Sequence, residues 1–579
     1  MAPAHLAARD PVQQRSHVRV SSDVSIRPPL PARLANALGR RNSVSGATLL
    51  VCALVLLVTW PQARYLGTRV VAHDDPLLSI WRLEWLAHAL LTDPTHLFDA
   101  NIFYPHVRTL AYTDATLLEG LVAAPWLWAH VNPVFVYNVL LFGGMVLSGL
   151  GMFLLVRQLT GNADAALVSA AIFAVAPYRI AHLMHLELQW TMWMPLTLWA
   201  LHRVFDEGSI RHGVMAGVFL AMQLLSCVYY GAFLAIIVAA FIPLVALSQR
   251  GRAKRVVIPL CVGAIVPAVV ALAYGTLYVS NVQVAGTRDA GEVMSFSAYF
   301  ASYITAPSGN WLWGWTGGRF EGDERHLFPG VVAVVLALWS VAARRRRRDV
   351  WVYLVITALA VELSLGLNGI VYRWLHDHIW ALAGFRAPAR FGILAMCGLA
   401  VLAGFGYESL QRMTKAPRTA LIVVLVAIGV ECSSSPVQLD EVPIRTPDVY
   451  RFLGRSDRGV VVELPIVEGY LNPTYMFWST KHWHPLVNGY SGFRPLDYAE
   501  TLQRMQTFPD DAAIARLRQL DVRYILLHET YFQQKERTRL LLALARRPEL
   551  VAAGSYRDWL GQTRVFELRP ADPRSSRLE

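Results

Sequence analysis

The stretch VAHDDPLLSIWRLEWLAHALL, Val71 to Leu91, follows the first long apolar run of the chain. Two adjacent carboxylates, Asp74 and Asp75, sit just past what reads as a membrane exit, with His73 before them and Pro76 after. Asp before Pro-Leu-Leu is a helix start signal, with Pro in the first turn. One aspartate suffices for a cap; the second, and His73, ask for another explanation. Like-charge repulsion and a low-dielectric surface both work against an acidic pair, and a carboxylate tuned in this way suits general-base work near neutral pH. Beyond the pair, Leu78, Trp81, Trp85 and Leu86 share one helical face, with Arg82 and Glu84 off it. The expectation is an amphipathic helix in the interface plane, holding the HDD segment at headgroup depth.

Working outward, the 579 residues are 55% hydrophobic and only 16% charged, against roughly a quarter charged in soluble domains. Apolar runs of about 20 residues, enough to span a bilayer, recur from Ser45 to Glu431. The net charge of +12 would suggest nucleic acid in a soluble protein. Here the arginines cluster in short loops between apolar runs, which is the signature of membrane orientation, so nucleic acid is excluded as a partner. The five cysteines, Cys52, Cys227, Cys261, Cys397 and Cys432, have no metal or disulfide spacing and read as small apolar residues.

Candidate spans fall near 45–63, 133–156, 163–178, 188–203, 212–229, 230–247, 256–279, 327–343, 350–367, 390–410 and 418–431. The run 115–130 is ambiguous. If it does not cross, one alternate set of loops is short and basic, holding Arg40 and Arg41; Arg157; Arg203 and Arg211; Arg250 to Arg255; Arg344 to Arg348; and Arg412 to Arg418. If it does cross, the arginine run falls outside, against the positive-inside rule. The segment is therefore placed as a juxtamembrane or re-entrant helix, and Asp74 and Asp75 as extracytoplasmic. The fold class expected is a mostly α polytopic membrane helix bundle of about 11 spans with a small extracytoplasmic C-terminal α/β domain. Residues 1–44 read as a disordered cytoplasmic tail, 45–432 as the membrane domain with its first outer loop at 64–132, and 433–579 as the α/β domain. In the last, GVVVELP (459–465), VRYILLH (522–528) and GQTRVFELR (561–569) read as strands, and 510–520 and 537–547 as helices. SerSerSerPro at 433–436 reads as a linker.

Three outer constellations could carry chemistry. The first is the loop 64–132 itself, with Asp93, Asp99, Asn101, Tyr104, His106 and Asp114 beside the acidic pair. The second is PYRIAHLMHLELQW, 177–190, which crowds Arg179, His182, His185, Glu187 and Gln189 into one connector. A His pair can bind Zn²⁺, but a site needs three or four ligands and spacing fixes no others. The plain alternative is a polar interfacial connector. The third is GFRAPARFG, 384–392, whose Arg386 and Arg390 suit a phosphate through the planar fork of guanidinium, or simply snorkel to headgroups. The aromatics of the loop 281–326 suit either a sugar or the membrane surface. The run Arg344 to Arg348 is read as topological only.

These features together resemble the GT-C superfamily of integral-membrane glycosyltransferases, in particular the family-39-like bacterial subset that glycosylates envelope polymers. The resemblance rests on HDD after the first span, the long first outer loop with juxtamembrane helices, VRQLTGNADAALVSAAIFAVAPYR, FRAPARFGILAMCGLAVLAGFG, and the late segments VVELP, HWHPLVNGYSGFRP and VRYILLH. It implies transfer of a sugar from a polyprenyl-phosphate carrier to an acceptor hydroxyl on the outer face of the bacterial inner membrane, usually with inversion. Asp75 would be the general base with Asp74 as neighbour or substitute. Arg386 and Arg390, then Arg179, would receive the departing lipid phosphate, with His73, His182, His185 and Glu187 as further substrate-binding candidates. The partners implied are a polyprenyl-phosphate-linked sugar, a glycan, lipid or protein acceptor, and membrane lipids. No cofactor is fixed; a divalent metal is left open, since only some members need one. No WWD-type signature stands in the tail, which disfavours an oligosaccharyltransferase. A transporter or flippase for a lipid-linked glycan, or a non-catalytic envelope-assembly protein, are the alternatives. The absence of internal repeats and the position of the acids at a span mouth argue against a transporter.

Overall fold

The computed structural model describes residues 30–249, 253–286, 288–344, 347–467, 469 and 471–570. The N-terminal tail to residue 29, Arg250 and Arg252 of one basic loop, and Arg345 and Arg346 of the arginine run lie outside the described residues. A helix stands at every expected span: Leu30–Val58, Pro133–Thr160, Ala163–Val175, Trp193–Glu207, Ile210–Ser226, Val228–Ser248, Ala253–Ala285, Val331–Ala343, Arg348–Ser364, Gly392–Met413 and Pro417–Glu431. Among the described residues, 5 helices are long and apolar enough to cross a membrane. The protein is a polytopic membrane helix bundle. Local signals set several boundaries. Asn132 and Asn162 cap their helices through Oδ1, which accepts from backbone N–H groups of the first turn. Gly161 and Gly208 end helices in the left-handed region.

The pair Gly213 and Gly217, one helical turn apart, lets helix Ile210–Ser226 approach Ala253–Ala285 closely. A methyl group on Gly217 would meet the carbonyl of Gly263 at 1.8 Å, and one on Gly213 that of Pro259 at 2.0 Å. In a bilayer such small-residue contacts replace the hydrophobic drive that water would supply.

Several basic loops gather at one end of the bundle. Arg347 donates to the Leu159 carbonyl, Arg348 to that of Ser248, Arg255 to that of Glu207, and Arg344 to Ser409. Asn162 donates to Gln411. The grouping inferred from charge is thus a spatial one.

After Glu431 the chain forms a four-stranded sheet. Strand β1 (Arg69–Val70) pairs with β2 (Asp440–Glu441), which ties the first outer loop to the tail. Strands β3 (Val460–Leu464), β4 (Val522–His528), β5 (Leu550–Asp558) and β6 (Gly561–Leu568) lie in the order β3-β4-β6-β5, parallel at β3/β4 and antiparallel elsewhere. Every side chain of β3 is buried. The segment 486–493 extends along the first outer loop. Leu486 N donates to Asn101 O, Tyr104 N to Leu486 O, Phe103 N to Asn488 O and Phe493 N to Tyr112 O. Residues 47–579 form one compact unit. The serine run is no free tether, since Ser433 O accepts from Trp311 N and Val437 N donates to Trp60 O.

Helix Asp74–Thr92 is covered by protein on more than its apolar face. It is buried on nearly all sides, Arg82 included. Helix Leu117–Trp128 packs along one side, with Gly120 against Leu86, and helix Leu471–Ser479 covers another. Glu84 is paired with Lys481 at 3.0 Å. The cover comes from sequence some 400 residues away, so no local pattern announces it. Helix Leu117–Trp128 has 12 residues, about 18 Å at 1.5 Å per residue, short of a bilayer's apolar thickness of about 30 Å.

Candidate functional site

The chain leaves β1, turns at Ala72 with φ 58° and enters the helix at Asp74. His73 occupies the N-cap position and caps nothing with its side chain. Neither aspartate therefore serves as an N-cap; both stand in the first turn, where the helix dipole favours negative charge. Asp75, Leu78 and Arg82, at i, i+3 and i+7, share a face. They line a cavity of about 960 Å³. The other walls come from the ends of helices Ile210–Ser226 and Val228–Ser248, the middle of Ala253–Ala285, residues 380–390, and the segment 489–495.

The Asp75 carboxylate has a polar neighbour at each oxygen. Oδ1 accepts a hydrogen bond from Tyr490 Oη at 3.2 Å, and Oδ2 lies 3.7 Å from His185 Nδ1. Burial lowers the His185 pKa against the pull of Asp75 and Glu187. Glu187 accepts from Arg82 Nη2 at 2.9 Å. Burial opposes the Glu187 charge, and the combined pull of Arg82, His185 and Arg390 overcomes it, so its carboxyl titrates below its usual range. Arg82 Nη1 donates to the Asp114 carbonyl at 2.5 Å. The Asp114 side chain accepts from Val228 N at 2.6 Å. Burial, and then the nearby Glu187 charge, push its pKa up to about 6.

The cationic wall divides into bound and cavity-facing groups. Arg390 grips Glu324 through Nε at 2.9 and 3.2 Å and through Nη2 at 2.5 Å. Glu324 also meets His182 Nε2 at 3.2 Å. Arg386 is a third exposed at its side chain, with Nη1 3.6 Å from Glu292. Arg288 donates to the same Glu292 at 3.2 Å and to Gly492 O at 2.7 Å, with its guanidinium 3.7 Å from the Phe493 ring centre. Arg386 and Arg288 thus share one carboxylate.

The cavity brings together Asp75, Asp114, His185, Glu187, Arg386 and Arg390 from the sequence candidates. It does not include Asp74 and His73, which face each other at 3.6 Å. Arg179 is buried elsewhere, its guanidinium taken by Phe173 O at 2.6 Å, by Gln189 and by Thr191. His182 is buried behind the wall, between Tyr178 O and Glu324. Arg82, Arg288, Glu292, Glu324 and Tyr490 were not singled out from sequence. Of these only Arg82 carried a signal: it stands two turns from Asp75 on the same face of the helix. Among the described residues no group of three or more His, Cys, Asp or Glu side chains is arranged to hold a metal ion.

No family model matches the sequence, and no curated protein does. Solved structures match. The arabinofuranosyltransferase AftD from Mycobacteria superposes with a TM-score of 0.62 at 13% identity, over 92% of this chain and 40% of that one. The archaeal oligosaccharyltransferase AglB from Archaeoglobus fulgidus, in complex with an inhibitory peptide and a dolichol-phosphate, gives a TM-score of 0.51 at 13% identity, over 90% of this chain and 73% of that one. The chain thus spans only 40% of the length of the arabinofuranosyltransferase. At such identities the likeness is one of architecture: the chain has the GT-C-like fold, a membrane helix bundle with a C-terminal domain.

Proposed function

We propose that the protein is a membrane glycosyltransferase that moves a sugar from a polyprenyl-phosphate carrier to an acceptor hydroxyl, with Asp75 as general base. The observation that carries this reading is that Asp75 and the guanidinium of Arg386 line one cavity. Asp75 takes the acceptor's hydroxyl proton as the acceptor oxygen bonds to the anomeric carbon. The bond from that carbon to the phosphate oxygen breaks, and the lipid phosphate leaves with the electron pair. The proton on Asp75 then passes to solvent. Attack opposite the leaving group inverts the anomeric centre.

Negative charge grows on the phosphate as it departs, so preorganised cations act where they matter most. Arg386 and Arg288 suit this role, because one Glu292 carboxylate does not cancel two guanidiniums. Arg390 is committed to Glu324 and acts as a strut behind them. Leu224, Val228, Ala232, Ala271 and Trp380 give the cavity an apolar side suited to the prenyl chain. The resemblance to an enzyme solved with dolichol-phosphate agrees with that class of donor. The loop parity of arginines supports an extracytoplasmic site, with 433–579 as an outer domain, and the resemblance implies the bacterial inner membrane.

Comparing lipid-linked sugars and envelope glycans between a deletion strain and its complement tests the reading. The enzyme predicts accumulation of a polyprenyl-phosphate sugar and loss of one glycan linkage. Unchanged lipid-linked sugars would contradict it.

A further inference from the structure

We propose that Tyr490 is a positioning residue for Asp75, so that the segment 486–494 of the C-terminal part completes the catalytic centre rather than merely covering it. The two residues are 415 positions apart and meet at 3.2 Å. Tyr490 is held where it is by its surroundings. Its neighbour Asn488 donates to Glu463 O and accepts from Glu463 N on β3. Gly489 lies flat on Phe103, where a methyl group would meet the ring at 2.6 Å. Phe493 is fixed to Tyr112 through its backbone, and Arg288 binds Gly492 O. Both ends of the segment are therefore tied to the first outer loop or to the sheet, and the hydroxyl between them has one defined partner.

The chemistry follows from which form of the carboxyl this hydroxyl prefers. A phenol that donates to a carboxylate stabilises its charged form and fixes its direction. Burial, followed by the charges of Asp75 and Asp74, raises the Tyr490 pKa, so the group stays a donor through the working range. Asp75 also faces His185 from the connector, Arg82 from its own helix, where Asp74 stands beside it, and Tyr137 from helix Pro133–Thr160. Of these, only Tyr490 donates a hydroxyl hydrogen bond to Asp75 among the described residues.

The inference rests on the base assignment above for its catalytic consequence, and its physical core is tested without it. In the full-length protein in detergent, Asp75 is labelled with a water-soluble carbodiimide and glycine methyl ester across pH. The exposed Asp440 serves as internal reference, and the peptide is quantified by mass spectrometry. Tyr490→Phe removes only the hydroxyl and is expected to move the labelling midpoint of Asp75 upward by about half to one pH unit. The acid limb of the pH profile of sugar transfer should move the same way, with kcat falling about tenfold and donor KM little changed. An unmoved labelling midpoint would overturn the inference even if Asp75→Asn abolishes transfer. A moved midpoint, in a protein whose transfer survives Asp75→Asn, would uphold the positioning contact and remove the base assignment instead.

Discussion

Arg390 holds both carboxylate oxygens of Glu324, and Arg386, one helical turn earlier in sequence, leaves its guanidinium at the cavity. The same residue type thus serves two ends. Arg390→Gln strands Glu324 in a buried place, at a cost of about 3–5 kcal/mol for an unpaired buried charge, and should lower the melting temperature and the yield of the detergent-extracted protein. Arg386→Gln should leave both intact and reduce transfer by roughly ten- to a hundredfold, the scale of losing one charge-stabilising group. Thermal melts alongside transfer rates separate the two; equal melts for both variants would contradict the division.

The Arg82–Glu187 pair is a second buried ion pair, at 2.9 Å. Removing one partner alone, as in Arg82→Met or Glu187→Met, should destabilise by about 3–5 kcal/mol. The double variant should recover much of that loss, because no charge remains unpaired. A double-mutant cycle of denaturation midpoints measures the coupling, and additive losses would refute it.

How much of this was legible beforehand depends on distance along the chain. Each span announced itself by a local apolar run. The loops holding Arg157, Arg203, Arg255, Arg344 and Arg412 grouped correctly, because membrane insertion itself reads that charge. Strands β3, β4 and β6 showed as β-branched runs, whereas β5, LVAAGSYRD, is mostly small and polar residues at a sheet edge and did not. The protein cover over the helix after HDD was not legible, because that cover, Leu471–Ser479, is supplied from the far end of the chain. For the same reason nothing near Asp75 pointed to Tyr490, and nothing near Arg390 pointed to Glu324. Burial of charge depends on partners that only the fold brings near.

His482 gives the C-terminal part a defined acid sensitivity. Burial, and then the neighbouring His484, lower its pKa to about 3. A depressed folded-state value means that the stability it contributes is complete above the unfolded value of 6.5 and is lost as pH falls from 6.5 towards 3. His482→Asn keeps an acceptor for the His484 N–H and should flatten the melting-temperature curve between pH 6 and pH 4. A curve parallel to that of the unaltered protein would contradict the shift.

The contact of Gly217 with Gly263 leaves no room for a side chain. Gly217→Val should force helices Ile210–Ser226 and Ala253–Ala285 apart and alter the cavity wall formed by Ala271 and Tyr274. Overpacking of this kind costs about 1–3 kcal/mol. The melting temperature of the detergent-extracted Gly217→Val protein should fall accordingly, and an unchanged melting temperature would refute the close approach.

The central claim is that Asp75 removes the acceptor's proton. Its most direct measurement is transfer by Asp75→Asn, assayed as lipid-linked sugar consumed and glycan formed in membranes holding the variant at the normal level. The account predicts that transfer is abolished while abundance and melting are kept. Transfer at an undiminished rate in that variant would show that the proton goes elsewhere.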